Sequence, residues 1–359
     1  MPGLSSKTGY LMYLRQGQVF ARPLDPSTPK FIGTETLVQS NVEEGALRGS
    51  WSASRWAFAY VIANQVAGSS SLSWYSRKGQ ILGTVGEPVD YREVRLAPDG
   101  GRAAYSRVSS TINIWVLDLA RTSASRLSFG SADRAPVWSA DGAYIAYASI
   151  EPGANRICRR AANGAGKEEV LLESKDEVRP VTWSPDGKWL LYLSGVRGHW
   201  DQYLLPVSGG GKPVPFLIDP YDKYDARFSP DGRWIAYSSN ETGRREVYVR
   251  PVPEAAGGTP GLQGKWQIST SGGVHARWRK DGKELFFLGL TNRIMAVAIQ
   301  SSVGSFQSSN PEPLFPVQVV SGPADPYDVT GDGTRFLVLN RSDEGARVTV
   351  ILNWESRLK

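Results

Sequence analysis

Few residues in this chain have the types and spacing that chemistry needs. Its two histidines, His199 and His275, stand far apart, and neither has a metal-ligand spacing. With no third ligand or thiolate cluster in view, a zinc site is not expected. The one cysteine, Cys158, can form neither an internal disulfide nor a multi-thiolate centre. The glycine-rich pieces around Gly164-Ala-Gly-Lys167 and Gly209-Gly-Gly-Lys212 lack phosphate-loop spacing and read as hairpin turns. No Gly-x-Ser-x-Gly elbow occurs, so hydrolase chemistry of that kind has no support. Asp219, Asp222 and Asp225 repeat every third residue without the central glycine or closing glutamate of a calcium loop, and read as a surface cluster. What remains is a recurrent pairing of arginine with acidic or aromatic neighbours: Tyr91-Arg-Glu-Val-Arg95, Asp133-Arg134, Glu177-Val-Arg179, Tyr224-Asp-Ala-Arg227 and His275-Ala-Arg277. Arginine's planar fork suits carboxylate and phosphate.

A repeat positions those arginines. Trp183-Ser-Pro-Asp-Gly187-Lys-Trp-Leu-Leu-Tyr192 and Phe228-Ser-Pro-Asp-Gly232-Arg-Trp-Ile-Ala-Tyr237 are its clearest copies. Weaker copies carry Asp99-Gly100, Asp141-Gly142, Asp281-Gly282 and Asp332-Gly333, and Trp51-Ser-Ala-Ser-Arg55 is a degenerate one. A spacing near 45 residues is that of four-stranded propeller blades. Pro pre-sets the first corner of the turn, Asp bonds nearby backbone, and Gly takes the positive φ. The six aspartates are therefore turn residues, and the turn joins two strands as a hairpin. Third strands follow at residues 112–117, 202–207, 246–250 and 294–299, and shorter fourth ones at positions such as 265–269. No amphipathic helical pattern of useful length occurs.

The fold expected is an all-β propeller of four-stranded antiparallel blades spanning residues 1–359. If residues 35–38 complete the last blade, alongside 335–339 and 348–353, seven blades close, which is the closure favoured. If residues 80–83 do so, six blades close over 71–359, and residues 1–70 are partial blades of a preceding array. The first strand of each blade lines the axis, so the arginine-bearing entry segments form a ring at one channel mouth. Arg95, Arg134, Arg179, Arg227, His275 and Arg277 are the candidate ligand-binding residues. They would bind an anionic ligand or an acidic peptide, or else pair with acids of neighbouring blades and cement the closure.

Phe228-Ser-Pro-Asp-Gly-Arg-Trp-Ile-Ala-Tyr237, Glu246-Val-Tyr-Val-Arg-Pro251, Gly264-Lys-Trp-Gln-Ile-Ser269, Arg277-Trp-Arg-Lys-Asp-Gly-Lys-Glu-Leu-Phe286 and Val350-Ile-Leu-Asn-Trp354 occur in order. This series resembles the C-terminal TolB-like propeller region of large bacterial serine/threonine kinases. The resemblance covers nearly the whole chain and is most specific in its second half. It implies a cytoplasmic kinase domain, one membrane helix and an extracytoplasmic sensing propeller. This chain lacks the kinase's Ala-Ile-Lys, His-Arg-Asp and Asp-Phe-Gly elements, so kinase activity is not carried over.

Composition agrees with a soluble globular protein: 41% hydrophobic, 21% charged, with 38 Gly and 23 Pro. A net charge of +6 falls short of a nucleic-acid footprint. No apolar run approaches the ~20 residues of a membrane span, and residues 1–6 show no signal-peptide pattern. The expectation is a non-catalytic module binding a protein, a peptide or a small anion. It has no cofactor, metal or nucleic-acid partner, does not itself insert into a membrane, and is extracytoplasmic by resemblance. A stand-alone periplasmic scaffold of TolB type is the alternative; a propeller hydrolase or lactonase is a weaker one.

Overall fold

The computed structural model describes residues 9–15, 18–25, 27–28, 30–40, 51–53, 57–61, 70–196, 199–208, 211–258, 263–319, 325–341, 348–352 and 354. The start of the chain (1–8), the degenerate anchor at position 54 and the glycines at 209 and 210 lie outside them. The chain divides into two compact units, residues 70–341 and residues 1–69 with 342–359.

Residues 70–341 form six antiparallel blades of four strands each, numbered here by their Asp-Gly turns, the fifth with an added strand, Ser305–Ser308, paired to the end of its third. Blade 1 has residues 90–96, Arg102–Val108, Ile112–Asp118 and Ser123–Arg126. Blade 2 has Asp133–Trp138, Tyr144–Glu151, Ala154–Ala161 and Glu169–Ser174. Blade 3 has Glu177–Trp183, Trp189–Val196, His199–Pro206 and Val214–Leu217. Blade 4 has Lys223–Phe228, Trp234–Ser239, Glu246–Pro251 and Trp266–Gln267. Blade 5 has Val274–Trp278, Glu284–Gly289, Arg293–Ser302 and Glu312–Pro316. Blade 6 takes Tyr327–Val329 and Arg335–Arg341 from the end of the unit, then Ser70–Ser76 and residues 81–89 from its start. One unbroken strand, Ile81–Leu96, thus ends blade 6 and begins blade 1. Pairing both ends of the array removes its open edges.

Six apolar clusters sit one between each pair of neighbouring blades, including Leu72, Tyr105 and Leu339 between blades 6 and 1. The motif tyrosines Tyr105, Tyr147, Tyr192 and Tyr237 are buried in these interfaces. The closed ring of this unit therefore has six blades. The seven-blade closure is corrected on strand pairing. Thr36–Gln39 pairs with Gln18–Asp25, and Val348–Leu352 pairs with Ala57–Val61, both in the other unit. The place beside Arg335–Arg341 is already filled by Ser70–Ser76. The other unit holds those two sheets around Val19, Ala21, Val38, Phe58, Ile351 and Trp354.

The turns follow the expected chemistry. Their six glycines have φ between 69° and 73°. In blades 2, 3 and 4 the Asp Oδ1 accepts from the Ser hydroxyl two residues earlier, at 2.5–2.6 Å. That hydroxyl in turn accepts the amide of Tyr144, Trp189 or Trp234. Such closed hydrogen-bond loops fix the hairpin corner without outside help. The single helical turn among the described residues is Glu254–Ala256, and no helix is long and apolar enough to cross a membrane.

Candidate functional site

In blades 1 to 5 the first strand carries a bulge shortly before its Asp-Gly turn, seen as a register break at 91/94, 134/137, 180/182, 224/227 and 274/277. Ala135, Asp225 and His275 occupy it in blades 2, 4 and 5, with φ of 56°, 56° and 59°. A bulge re-aims a side chain, and left-handed backbone is costly for a residue with a Cβ. Counting back from the turn aspartates gives equivalent positions round the axis. Four residues before stand Arg95, Val137, Thr182, Arg227, Arg277 and Asp328; six before, Glu93, Asp225 and His275 occupy blades 1, 4 and 5; seven before, Arg134, Arg179 and Asp325 occupy blades 2, 3 and 6.

Blades 1, 4, 5 and 6 meet at Asp325. Arg95 pairs with its Oδ2, and Arg277 Nη2 donates to its Oδ1 at 2.7 Å. Arg227 Nη2 reaches both oxygens loosely, at 3.4 and 3.5 Å. His275 Nδ1 lies 3.3 Å from Asp325 and 3.1 Å from Asp225. Arg277 Nε is also 3.2 Å from Asp328. These side chains retain only 4–14% of their exposure. Asp328 Oδ2 also takes the Leu96 amide at 2.8 Å, stitching blade 6 to blade 1. Two donors of the set, Arg95 Nη1 and Arg277 Nε, are buried with no hydrogen-bond partner.

The charges shift one another. Burial alone would raise the Asp325 carboxyl, but Arg95, Arg277 and Arg227 outweigh it and hold it well below the carboxylate range. Burial would lower the His275 imidazole, but Asp225 and Asp325 outweigh that and raise it. Arg227 is pushed down by burial and by Arg277 and Arg95. Glu93 is pushed up by burial.

Four of the six candidate residues, Arg95, Arg227, His275 and Arg277, therefore converge on one point. Arg134 and Arg179 form a separate pair on Glu177, at 3.9 and 2.6 Å. The sequence reading missed the acids. Asp225, taken for a surface residue, is at the axis with 12% side-chain exposure, because its bulge turns it inward. Asp219 does belong to a local group, accepting from the buried Lys223 at 2.7 Å. Asp325 and Asp328 were legible in principle, since they stand at the same offsets from Asp332 as the arginines do from their own turns. His199 opens a strand of blade 3, and its side chain lies outside the described residues. Cys158 is buried and its thiol is pushed up to about 12, mainly by that burial.

Asp225, His275 and Asp325 place one ligand atom each within 4.8 Å of one another, a set that could hold a metal ion. The fold thus supplies the carboxylates that the sequence did not put near His275. The group does not fit a dication well, because three guanidiniums already share the Asp325 carboxylate.

No family model matches the chain, and no curated protein does. Among solved structures, a TolB-type protein from Agrobacterium tumefaciens superposes with a TM-score of 0.56 at 19% identity, covering 76% of this chain and 98% of that one. The fold is that of a TolB-like β-propeller. Hydrazine synthase of Kuenenia stuttgartiensis (14% identity, 94% and 92% of the two chains) and an oligogalacturonate lyase in complex with manganese (13%, 96% and 96%) are also similar, each with a TM-score of 0.50. At such identities the likeness concerns the fold alone, and a TolB-like propeller serves scaffolds and enzymes alike.

Proposed function

We propose that this chain is a non-catalytic binding module whose axial mouth takes a carboxylate or phosphate group, borne by a protein segment or a small ligand. The observation that carries the reading is the convergence of Arg95, Arg227 and Arg277, from three separate blades, on a single carboxylate supplied by a fourth. Asp325 stands where a ligand's carboxylate would stand, and an entering anion exchanges with it. Arg134 and Arg179, with 26% and 17% side-chain exposure, are the outer contacts. The resemblance of residues 228–286 supports a finer reading, a sensor part of a bacterial serine/threonine kinase outside the cytoplasm. A periplasmic scaffold of TolB type would use the same mouth for a peptide.

Calorimetric titration with acetyl-tetraglutamate and with inorganic phosphate tests the binding role. We expect saturable binding that weakens between 50 and 200 mM salt and falls at least tenfold in Arg134→Gln/Arg179→Gln. Absence of saturable binding by either probe would refute it. The DNA upstream of the Met1 codon separates the finer readings: a frame running into a kinase and a membrane helix favours the sensor, a stop codon the scaffold.

A further inference from the structure

A second site lies on the opposite face, where the Asp-Gly turns emerge. In this ring three turn glycines face the proline in the turn of the preceding blade. A Cβ built on Gly142 would lie 3.6 Å from Pro98, one on Gly232 3.8 Å from Pro185, and one on Gly282 3.9 Å from Pro230. A proline ring thus stands in the gap between neighbouring turns three times, joined at Gly142 by Arg102 Nη2, also at 3.6 Å. Between blades 2 and 3 it does not, because Ala140 stands in the proline's place, and a Cβ on Gly187 would meet nothing within 4 Å. Gly331 leaves Gly100 equally free between blades 6 and 1, but there Leu96 replaces the motif tryptophan.

At the Ala140 gap the structure holds a cavity of about 430 Å³, within the range of ligand sites. Two aromatic side chains, Tyr144, 40% exposed, and Trp183, line it together with Pro185. Trp183 is itself set differently from its counterparts. Trp138 and Trp278 donate their indole N–H across to the preceding blade, to the carbonyls of Arg95 and Arg227. Trp183 donates to Gly187 of its own turn, at 3.0 Å. Two carboxylates flank the cavity. Asp141 is held below its usual range by the Ser139 hydroxyl; Asp186 is also lowered, the Ser184 hydroxyl and Lys188 amide overcoming its burial. Arg159, the cation in the lining, is stacked on Tyr144 at 5.1 Å and doubly bonded to Glu169 at 2.9 and 3.0 Å.

We propose that this slot between blades 2 and 3 receives the proline ring of a partner segment, with a basic residue beside that proline facing Asp141 and Asp186. The ring's own turns point to the occupant's chemistry, since three of the equivalent gaps close around proline, while that between blades 5 and 6, where Lys280 takes the proline's place, is filled by Arg279 and Phe286 against Gly333. Aromatic-walled grooves are also the general receptors of extended proline-bearing segments. The acidic flank selects a basic neighbour over an acidic one. This site is separate from the arginine mouth, and neither reading depends on the other.

Three probe peptides test it by calorimetry: acetyl-Arg-Pro-Pro-Arg-amide, its alanine-for-proline counterpart and its glutamate-for-arginine counterpart. We expect saturable binding of the first, at least tenfold weaker binding of the other two, and at least a tenfold loss in Ala140→Pro, which rebuilds the motif's own proline into the gap. Should Ala140→Pro fail to fold, Tyr144→Ser removes one wall from an exposed position and carries the same expectation. Equal binding of the proline and alanine peptides, binding unchanged in the variant, or no binding to the native protein at millimolar peptide would each overturn the proposal.

Discussion

Replacing Asp325 by alanine is the sharpest perturbation of the axial cluster. It removes the carboxylate that Arg95, Arg227 and Arg277 share and leaves their charges facing one another. Breaking a buried ion-pair network by deleting one partner costs about 3–5 kcal/mol. For a unit of this size each kcal/mol shifts the melting temperature by roughly 2–4 °C, so the expected fall is roughly 6–20 °C. The vacated place is carboxylate-sized and lined by guanidiniums, so formate should refill it. At a formate concentration a hundredfold above its dissociation constant the gain is about 2.7 kcal/mol. The assay is a thermal melt of native protein and variant in formate and in chloride at matched ionic strength. The variant should recover by roughly 5–11 °C in formate, while the native protein, whose own Asp325 fills the place, should respond far less. If the variant melts within about 2 °C of native, or if formate moves both proteins equally, the arginines are not held together by that carboxylate and the reasoning fails.

His275 should make stability pH-dependent. Its folded pKa is raised by Asp225 and Asp325, so its protonated form stabilises fully below the unfolded value of about 6.5. That contribution disappears as pH rises through the folded pKa; His275→Gln should flatten the difference in denaturation midpoint between pH 6 and pH 9, and an unchanged profile would refute the assignment. The same protonation should strengthen binding of acetyl-tetraglutamate as pH falls over that window, which titrations at successive pH values check. Gly100 sits at φ 71° with open space beyond it, so Gly100→Ala meets only backbone strain, about 1–2 kcal/mol, read as a lower denaturant midpoint with unchanged slope. Residues 70–341, expressed alone, should unfold cooperatively as a closed ring, whereas a gradual, non-cooperative melt would show that the ring needs the rest of the chain.

Local patterns carried most of the fold into view. The blade repeat was legible because Ser-Pro-Asp-Gly is self-contained turn chemistry and the strands alternate around it. What sequence alone left open was which strand closes the ring. Both 35–38 and 80–83 have strand-like composition, and only long-range pairing of Arg335–Arg341 with Ser70–Ser76 decides between them. The arginines were legible as a recurring neighbour pattern, but their acids were not. Asp225 reaches the axis only because of a bulge, and Asp325 belongs to a segment far along the chain from the arginines it binds. The proline gap needed the structure as well. Ala140 reads as one more weak copy of the motif until the neighbouring turns show what its side chain fails to fill.

The distribution of the axial residues argues that the charges do more than close the ring. If closure required a guanidinium four residues before each turn aspartate, blades 2 and 3 could not close. They carry Val137 and Thr182 there, and Val137 packs into a continuous apolar cluster with Trp183 and Tyr192. Apolar replacement of a buried charged network is often neutral or stabilising, so those two blades show the simpler solution within the same ring. Arg95, Arg227, Arg277 and Asp328 instead fall on adjoining blades, making one side of the axis ionic and leaving the other to Val137 and Thr182. A cement would have no need of a side. A ligand that presents its anionic group in one orientation does, and the rim pair Arg134 and Arg179 stands on the remaining two blades to meet the part of it that stays outside. Replacing Arg134, Arg179 and their partner Glu177 together by glutamine should therefore cut affinity for acetyl-tetraglutamate at least tenfold while leaving the melting temperature within a few degrees, and a large loss of stability with unchanged affinity would return the cluster to a purely structural role.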